Sequence, residues 1–353
     1  MAQTDIRTLT RTVAALVKTL SPRNRDIVSR RFGLKAGNKE TLESIGKSYG
    51  ITRERVRQIE EFSLTQLAKA AGDHKDLARL VQSVREFIGK EGGVIRERTL
   101  FKQLTGNDKD TVNNASLVFA LTLDRQLHRS SESDRFHAFW ATDIRQDETF
   151  GRMVTALASS FKEASVAQSI NQTVAGASGR GLTGYDGTPF DERHLETVLS
   201  ICKEVGTNIY GQIGLSVWPE IRPKGVRDKA YLVMKKIAAP QHFKDIAKLI
   251  NVAKFDGKKV NVQTVHNELI KDNRFILVGR GLYALAEWGY RSGTVKDVLT
   301  DILKNDKVPM DRAQLVAKVS EVRMVKENTI LLNLQDSSTF VRNAQGHYTL
   351  RKK

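Results

Sequence analysis

Apolar residues recur at helical spacing in two short segments near the start of the chain. Leu42, Ile45 and Tyr49 stand at i, i+3 and i+7, which predicts a first helix with one buried face. At 100° per residue, Val56, Ile59, Ser63 and Leu67 share one side of a second helix. Gly46 is small enough for that second helix to approach closely, and Gly50 supplies the positive φ of a tight inter-helix turn. Ile51 fills the corner, and Thr52 suits the N-cap of a helix that begins at Arg53. The pattern predicts a helix-turn-helix over 41–60.

On the second helix Glu54, Arg57, Gln58 and Glu61 project away from the packing side, with Arg53 and Arg55 on the flanks. Arg can fork onto guanine, Gln onto adenine, and Glu can accept from the cytosine amino group. The same face also fits a solvated amphipathic helix, but the Gly46, Gly50 and Thr52 geometry beside it favours entry into a DNA groove.

Beyond residue 76 one plan recurs, helices followed by a hairpin rich in aromatics. Its hairpin ends are Phe136–Trp140, Gly214–Trp218, Gly281–Trp288 and Gly346–Leu350. Spacings of this order suit winged-helix modules of three helices and a two-stranded wing. The third copy is the clearest. Arg227–Ala238 predicts a helix with Tyr231, Met234 and Ile237 inward, and a second helix starts over Lys244–Asn251. A third spans Val262–Asp272, with Val262, Val265 and Leu269 inward and Gln263, Thr264, Asn267 and Lys271 outward. Phe275–Val278, the turn Gly279-Arg280-Gly281 and Leu282–Ala286 predict a hairpin. Lys258, Lys259, Arg274 and Arg280 make this copy a candidate for DNA contact, with Gln263 and Asn267 on its third helix. Arg280 reads as a backbone or minor-groove contact, or as an ordinary exposed turn residue.

The expected fold is therefore mainly α, a helix-turn-helix followed by several small winged-helix (α+β) modules. The boundaries are 1–76, 77–145, 146–221 with a Gly-rich loop at 176–189, 222–292 and 293–353. Within that loop Gly179-Arg-Gly-Leu-Thr-Gly184 fits a dinucleotide fingerprint, but no strand precedes it and Tyr185–Pro189 follows in place of a helix. It reads as a flexible boundary loop.

Charge sharpens the picture. The chain has 353 residues and a formal net charge of +17. Residues 1–76 carry 15 basic and 9 acidic side chains, 222–353 carry 26 and 13, and the middle is slightly acidic. Basic ends around a neutral middle point to a polyanion held at both ends. The lone Cys202 sits in an apolar stretch and reads as core. Seven histidines lie scattered without metal-ligand spacing, and no nucleophile elbow, phosphate loop or carboxylate cluster is present, so neither catalysis, cofactor nor metal is expected. No apolar run approaches membrane-spanning length, and a soluble cytoplasmic protein is expected.

Arg23–Leu34, Thr41–Gly46 and Thr52–Glu60 together resemble region 4 of primary-type bacterial sigma factors, over about residues 5–70. The resemblance implies recognition of the −35 promoter element and docking on the flap of the RNA polymerase β subunit. It implies that Thr52 opens the recognition helix and that Arg53, Glu54, Arg55, Arg57 and Gln58 contact DNA, Glu54 and Arg55 among the base readers. Phe62-Ser63 departs from the family pattern, which has small and basic residues there, and nothing in the chain resembles region 2, which reads and melts the −10 element. The stretch 227–290 resembles the HARE-type winged helix-turn-helix domain, which implies a DNA- or polymerase-binding module. The function expected is sequence-specific binding of promoter DNA in transcription initiation. Alternatives are a polymerase-docking adaptor and a DNA-targeting subunit of a restriction or modification system.

Overall fold

A computed structural model describes residues 3–72, 74–124 and 126–351. The chain forms two compact units, 1–207 with 211–216, and 208–210 with 217–353. Most of it is helical, with small antiparallel sheets.

The first unit opens with α1 (Gln3–Val17), α2 (Pro22–Phe32), α3 (Leu42–Tyr49) and α4 (Arg53–Ala71). Next come α5 (Lys75–Lys90), β1 (Val94–Arg96), α6 (Glu97–Thr105), α7 (Val112–Thr122), β2 (His128–Ser130) and β3 (Phe139–Ala141). The unit closes with α8 (Ile144–Ala164), α9 (Ile170–Gly179), α10 (Glu192–Ile201), β4 (Val205–Thr207) and β5 (Ile213–Leu215). The second unit holds α11 (Val226–Ile237), β6 (Gln241–His242), α12 (Phe243–Ala253), α13 (Val262–Lys271), β7 (Phe275–Gly279) and β8 (Leu282–Leu285). It continues with α14 (Val295–Asp306), α15 (Arg312–Val322), α16 (Glu327–Leu334), β9 (Phe340–Arg342) and β10 (Tyr348–Leu350).

After α4 one topology occurs four times: helix, short strand, two helices, hairpin. In the first and third repeats the leading strand pairs with the last strand of the hairpin, giving the orders β1-β3-β2 and β6-β8-β7. In the second and fourth that strand shrinks to single bridges, Gln168 to Ile213 and Met310 to Tyr348. The leading strand β6 escapes a sequence reading because Gln241 and His242 are only two residues long and follow Pro240.

One apolar core passes through residue 76. Leu16, Leu20, Phe32 and Leu67 belong to the same buried cluster as Leu80, Leu100, Phe119 and Leu121. Phe32 meets Phe119 edge-on at 5.1 Å. Every residue from Asn114 to Leu121 on α7 is buried. Two further cores lie in the second unit, one around Met234, Ile246 and Leu269 and one around Val298, Leu315 and Ile330.

Several local expectations change. Ile237 is 42% exposed and Val262 37% exposed, because each lies at a helix end beyond the packed row. The Gly-rich stretch is not a boundary: it joins α9 to α10 inside the second repeat. Tyr185 and His194 are buried there, and a Cβ at Gly184 would stand 2.0 Å from His194 Nε2. Gly214 lies in β5, but residues 216–218 have left the strand. Cys202 is buried. Among the described residues no helix is long and apolar enough to cross a membrane.

Candidate nucleic-acid interface

Three residues without solvent contact, Ile27, Ile45 and Val56, tie α2, α3 and α4 together, and Leu42, Tyr49, Ile51 and Ile59 pack around them. Gly50 ends α3 in the left-handed region at φ 63°, where a side chain would be strained. Gly46 faces the turn so closely that a Cβ would lie 2.7 Å from the Ile51 carbonyl oxygen. Thr41 caps α3 by accepting from the Ser44 amide at 3.1 Å, and Thr52 caps α4 by accepting from the Arg55 amide at 3.2 Å.

Two arginines of α2 act as braces. Arg30 donates to Glu40 through Nε and Nη2 at 2.9 and 2.7 Å and to the Ser48 hydroxyl at 2.8 Å. Arg31 reaches Glu60 at 3.2 Å and the Glu40 carbonyl at 3.1 Å. Burial pushes the Glu60 carboxyl above its ordinary range despite Arg31. Tyr49 donates to Asp26 at 2.8 Å. A hydrogen bond from Lys35 holds the Asp26 carboxylate below its usual range, against burial. These groups fix the angle between α3 and α4 without occupying the outer face.

Thr52, Arg53, Glu54, Arg55, Arg57 and Gln58 are all exposed at the start of α4, while Val56 between them is fully buried. Arg55 donates to Gln58 at 3.0 Å, and Arg57 to Glu54 at 2.8 Å and to Glu61 at 3.1 Å. Those hydrogen bonds hold the Glu54 carboxylate below its ordinary range and raise the Arg57 guanidinium. The face thus presents donors and acceptors already paired along the helix. At the departure from the family pattern, Phe62 is 65% exposed, whereas Ser63 is fully buried and its hydroxyl has no partner. Ser63 cannot reach a phosphate.

In the third repeat Lys258, Lys259, Gln263, Asn267 and Arg280 are exposed. Lys258 and Lys259 lie in the loop before α13, Gln263 donates to Asn267 at 3.1 Å on that helix, and Arg280 caps the hairpin. Arg274 does not belong with them. It is tied to Asp272 at 2.7 Å and Asp228 at 2.9 Å, with the Tyr231 ring 5.0 Å from its guanidinium, and so braces the repeat. The hairpin is also engaged by the fourth repeat, whose Arg323 donates to the Leu277 carbonyl at 2.6 Å and whose Met324 amide donates to Val278 at 3.0 Å. Among the described residues no group of three or more metal-ligating side chains converges. His266 stacks on Phe243 and His242 packs tilted against it, each with ring centroids 4.4 Å apart.

Residues 16–69, which include this helix-turn-helix, match the family described as Sigma-70, region 4. RNA polymerase principal sigma factor HrdD of Streptomyces coelicolor is 45% identical over 58 residues, 16% of this chain and 18% of that protein. RNA polymerase sigma factor SigA1 of Synechococcus elongatus is 50% identical over 52 residues, 15% of this chain and 13% of that protein. SigA of Clostridium acetobutylicum is 43% identical over 61 residues, covering 17% and 16% of the two chains. The chain spans less than a fifth of the length of these relatives.

Proposed function

We propose that this chain is a non-catalytic, sequence-specific binder of double-stranded DNA that acts in transcription initiation. The start of α4 enters the major groove at a −35-type promoter element. Arg55 and Glu54 read bases there, and Arg53, Arg57, Gln58 and the Thr52 end of the helix share base and phosphate contacts. The observation that carries the reading is a capped helix whose exposed Arg, Glu and Gln rim is backed by fully buried Val56. We read the four repeats as winged-helix modules, the third of HARE type, with Lys258, Lys259, Gln263, Asn267 and Arg280 on adjacent DNA. The working site is the cytoplasm. Selection from a random duplex pool by the intact chain should enrich one motif. Enrichment of none, or an unchanged motif with Arg55→Ala and Glu54→Ala, would remove α4 from sequence reading.

A second reading makes the chain an adaptor docked on core RNA polymerase, by way of the β flap. Two repeats favour it. The third helix of the first is buried from Asn114 to Leu121 and cannot enter a groove, and α10, the equivalent helix of the second, exposes Glu192 and Glu196 beside a single Arg193. Retention of core polymerase by the intact chain without DNA would support this reading. Loss of retention with DNA binding intact would exclude it.

A further inference from the structure

A cavity of about 720 Å³ opens in the first unit between residues 38–39, the start of α6 and the β2–β3 hairpin. Lys39, Arg96, Arg98 and Arg129 line it, with His137 and the Asn38 amide at the edge. Three carboxylates line it too, and each is already claimed. Arg129 grips Glu97 at 2.5 and 2.8 Å while Trp140 Nε1 donates to the same group at 3.1 Å. Asp110 pairs with Arg98 at 2.9 Å. Glu132 takes Lys203 at 2.5 Å and the Ala138 amide at 2.9 Å.

Two cations remain. Arg96 Nε is buried without an acceptor, and a buried charged donor left unmade is costly unless something fills the place. Lys39, whose side chain is 40% exposed, stands 4.0 Å from Glu97, and desolvation together with Arg129 pushes its ammonium below the ordinary lysine range. An anion in the cavity would pair with the guanidinium of Arg96, which lines it, and with the Lys39 ammonium. The cavity's volume is that of a small-molecule site.

We propose that this cavity binds a phosphate group, held by Arg96 and Lys39 with Arg129 and Arg98 alongside. The phosphate could come from a free phosphorylated small molecule or from a nucleic-acid backbone, and the chemistry is the same. The inference stands whether or not α4 reads DNA.

The test is calorimetric titration of the full chain with inorganic pyrophosphate, beside titration with a random-sequence duplex. For whichever probe occupies the cavity, Arg96→Gln and Lys39→Gln should each weaken binding by about tenfold. Arg96→Lys, which keeps the charge, should recover part of the loss. Each variant's thermal midpoint is compared with that of the intact chain, so that misfolding is seen. Weakened pyrophosphate binding with unchanged duplex affinity assigns the site to a free ligand, and weakened duplex affinity assigns it to a backbone. Equal binding of both probes by the intact chain and all three folded variants would overturn the proposal, as would binding of neither probe by the intact chain.

Discussion

In the unbound protein the guanidinium of Arg57 is bonded to the carboxylate of Glu54 one turn earlier on α4, Nη2 to Oε1 at 2.8 Å. Two of the exposed charges at the start of α4 therefore neutralise each other along the helix. Glu54→Ala removes an acceptor for a cytosine amino group and leaves Arg57 with Glu61 as its one remaining helix partner, so the face becomes more positive. Discrimination at one or two base pairs should fall by about 1–3 kcal/mol. Affinity for random duplex should rise. Fluorescence anisotropy on selected and scrambled duplexes checks both signs together.

Two glycines of the helix-turn-helix differ in what they protect. At Gly46 a Cβ would stand 2.7 Å from a backbone carbonyl, whereas at Gly50 nothing lies within 4 Å and only the φ of 63° resists substitution. Gly50→Ala should cost about 1–2 kcal/mol through the left-handed backbone. Gly46→Ala gains roughly 1 kcal/mol of helix propensity but drives α3 from the turn, for a net loss of about 1–2 kcal/mol. Their signatures separate in binding. Gly46→Ala should weaken DNA binding beyond its effect on stability, since it changes the angle of α4, while Gly50→Ala should lower the thermal midpoint alone.

Phe119 is fully buried and meets Phe32 across the boundary between the helix-turn-helix and the first repeat. Phe119→Ala should destabilise the first unit by about 3–5 kcal/mol. Because the core is shared, the helix-turn-helix should unfold in the same transition, seen by denaturant titration with DNA binding as a second probe. Full DNA binding after the first repeat has melted would show two independent modules.

The helix-turn-helix was legible because its determinants are local: a 3.6-residue stripe, Gly46, Gly50 and Thr52 all lie within 41–67. The third repeat was legible for the same reason, its hairpin being marked by Gly279 and Gly281. What sequence could not give depended on distant partners. Arg274 looked free until Asp228, 46 positions away, closed on it. The core crossing residue 76 depends on contacts such as Phe32 with Phe119, ring centroids 5.1 Å apart, which no periodicity announces. Arg96 carries no sequence signal, because an orphaned donor is defined only by what fails to surround it.

Asp186 sits in the turn between α9 and α10 and accepts from His194 Nε2 at 2.9 Å and from the Thr188 hydroxyl at 2.7 Å. Burial works to raise its carboxyl, but Thr188 and His194 prevail and lower it from 3.8 to about 2. A depressed carboxyl stabilises the fold above its unfolded value, and that contribution is lost as pH falls through the folded value. Asp186→Asn should therefore lower the thermal midpoint at neutral pH, with the difference closing between about pH 4 and pH 2. A difference that persists at pH 2 would assign the effect to packing.

The claim that α4 reads DNA sequence is tested most directly by one comparison. Intact chain and Arg55→Ala are titrated with a −35-bearing duplex and a scrambled one, at two salt concentrations. Intact chain should prefer the −35 duplex, with affinity for both falling steeply as salt rises. Arg55→Ala should erase about 1–3 kcal/mol of that preference while leaving scrambled binding much less affected. Equal affinity of the intact chain for the two duplexes, or a preference that Arg55→Ala leaves whole, would contradict sequence reading by α4.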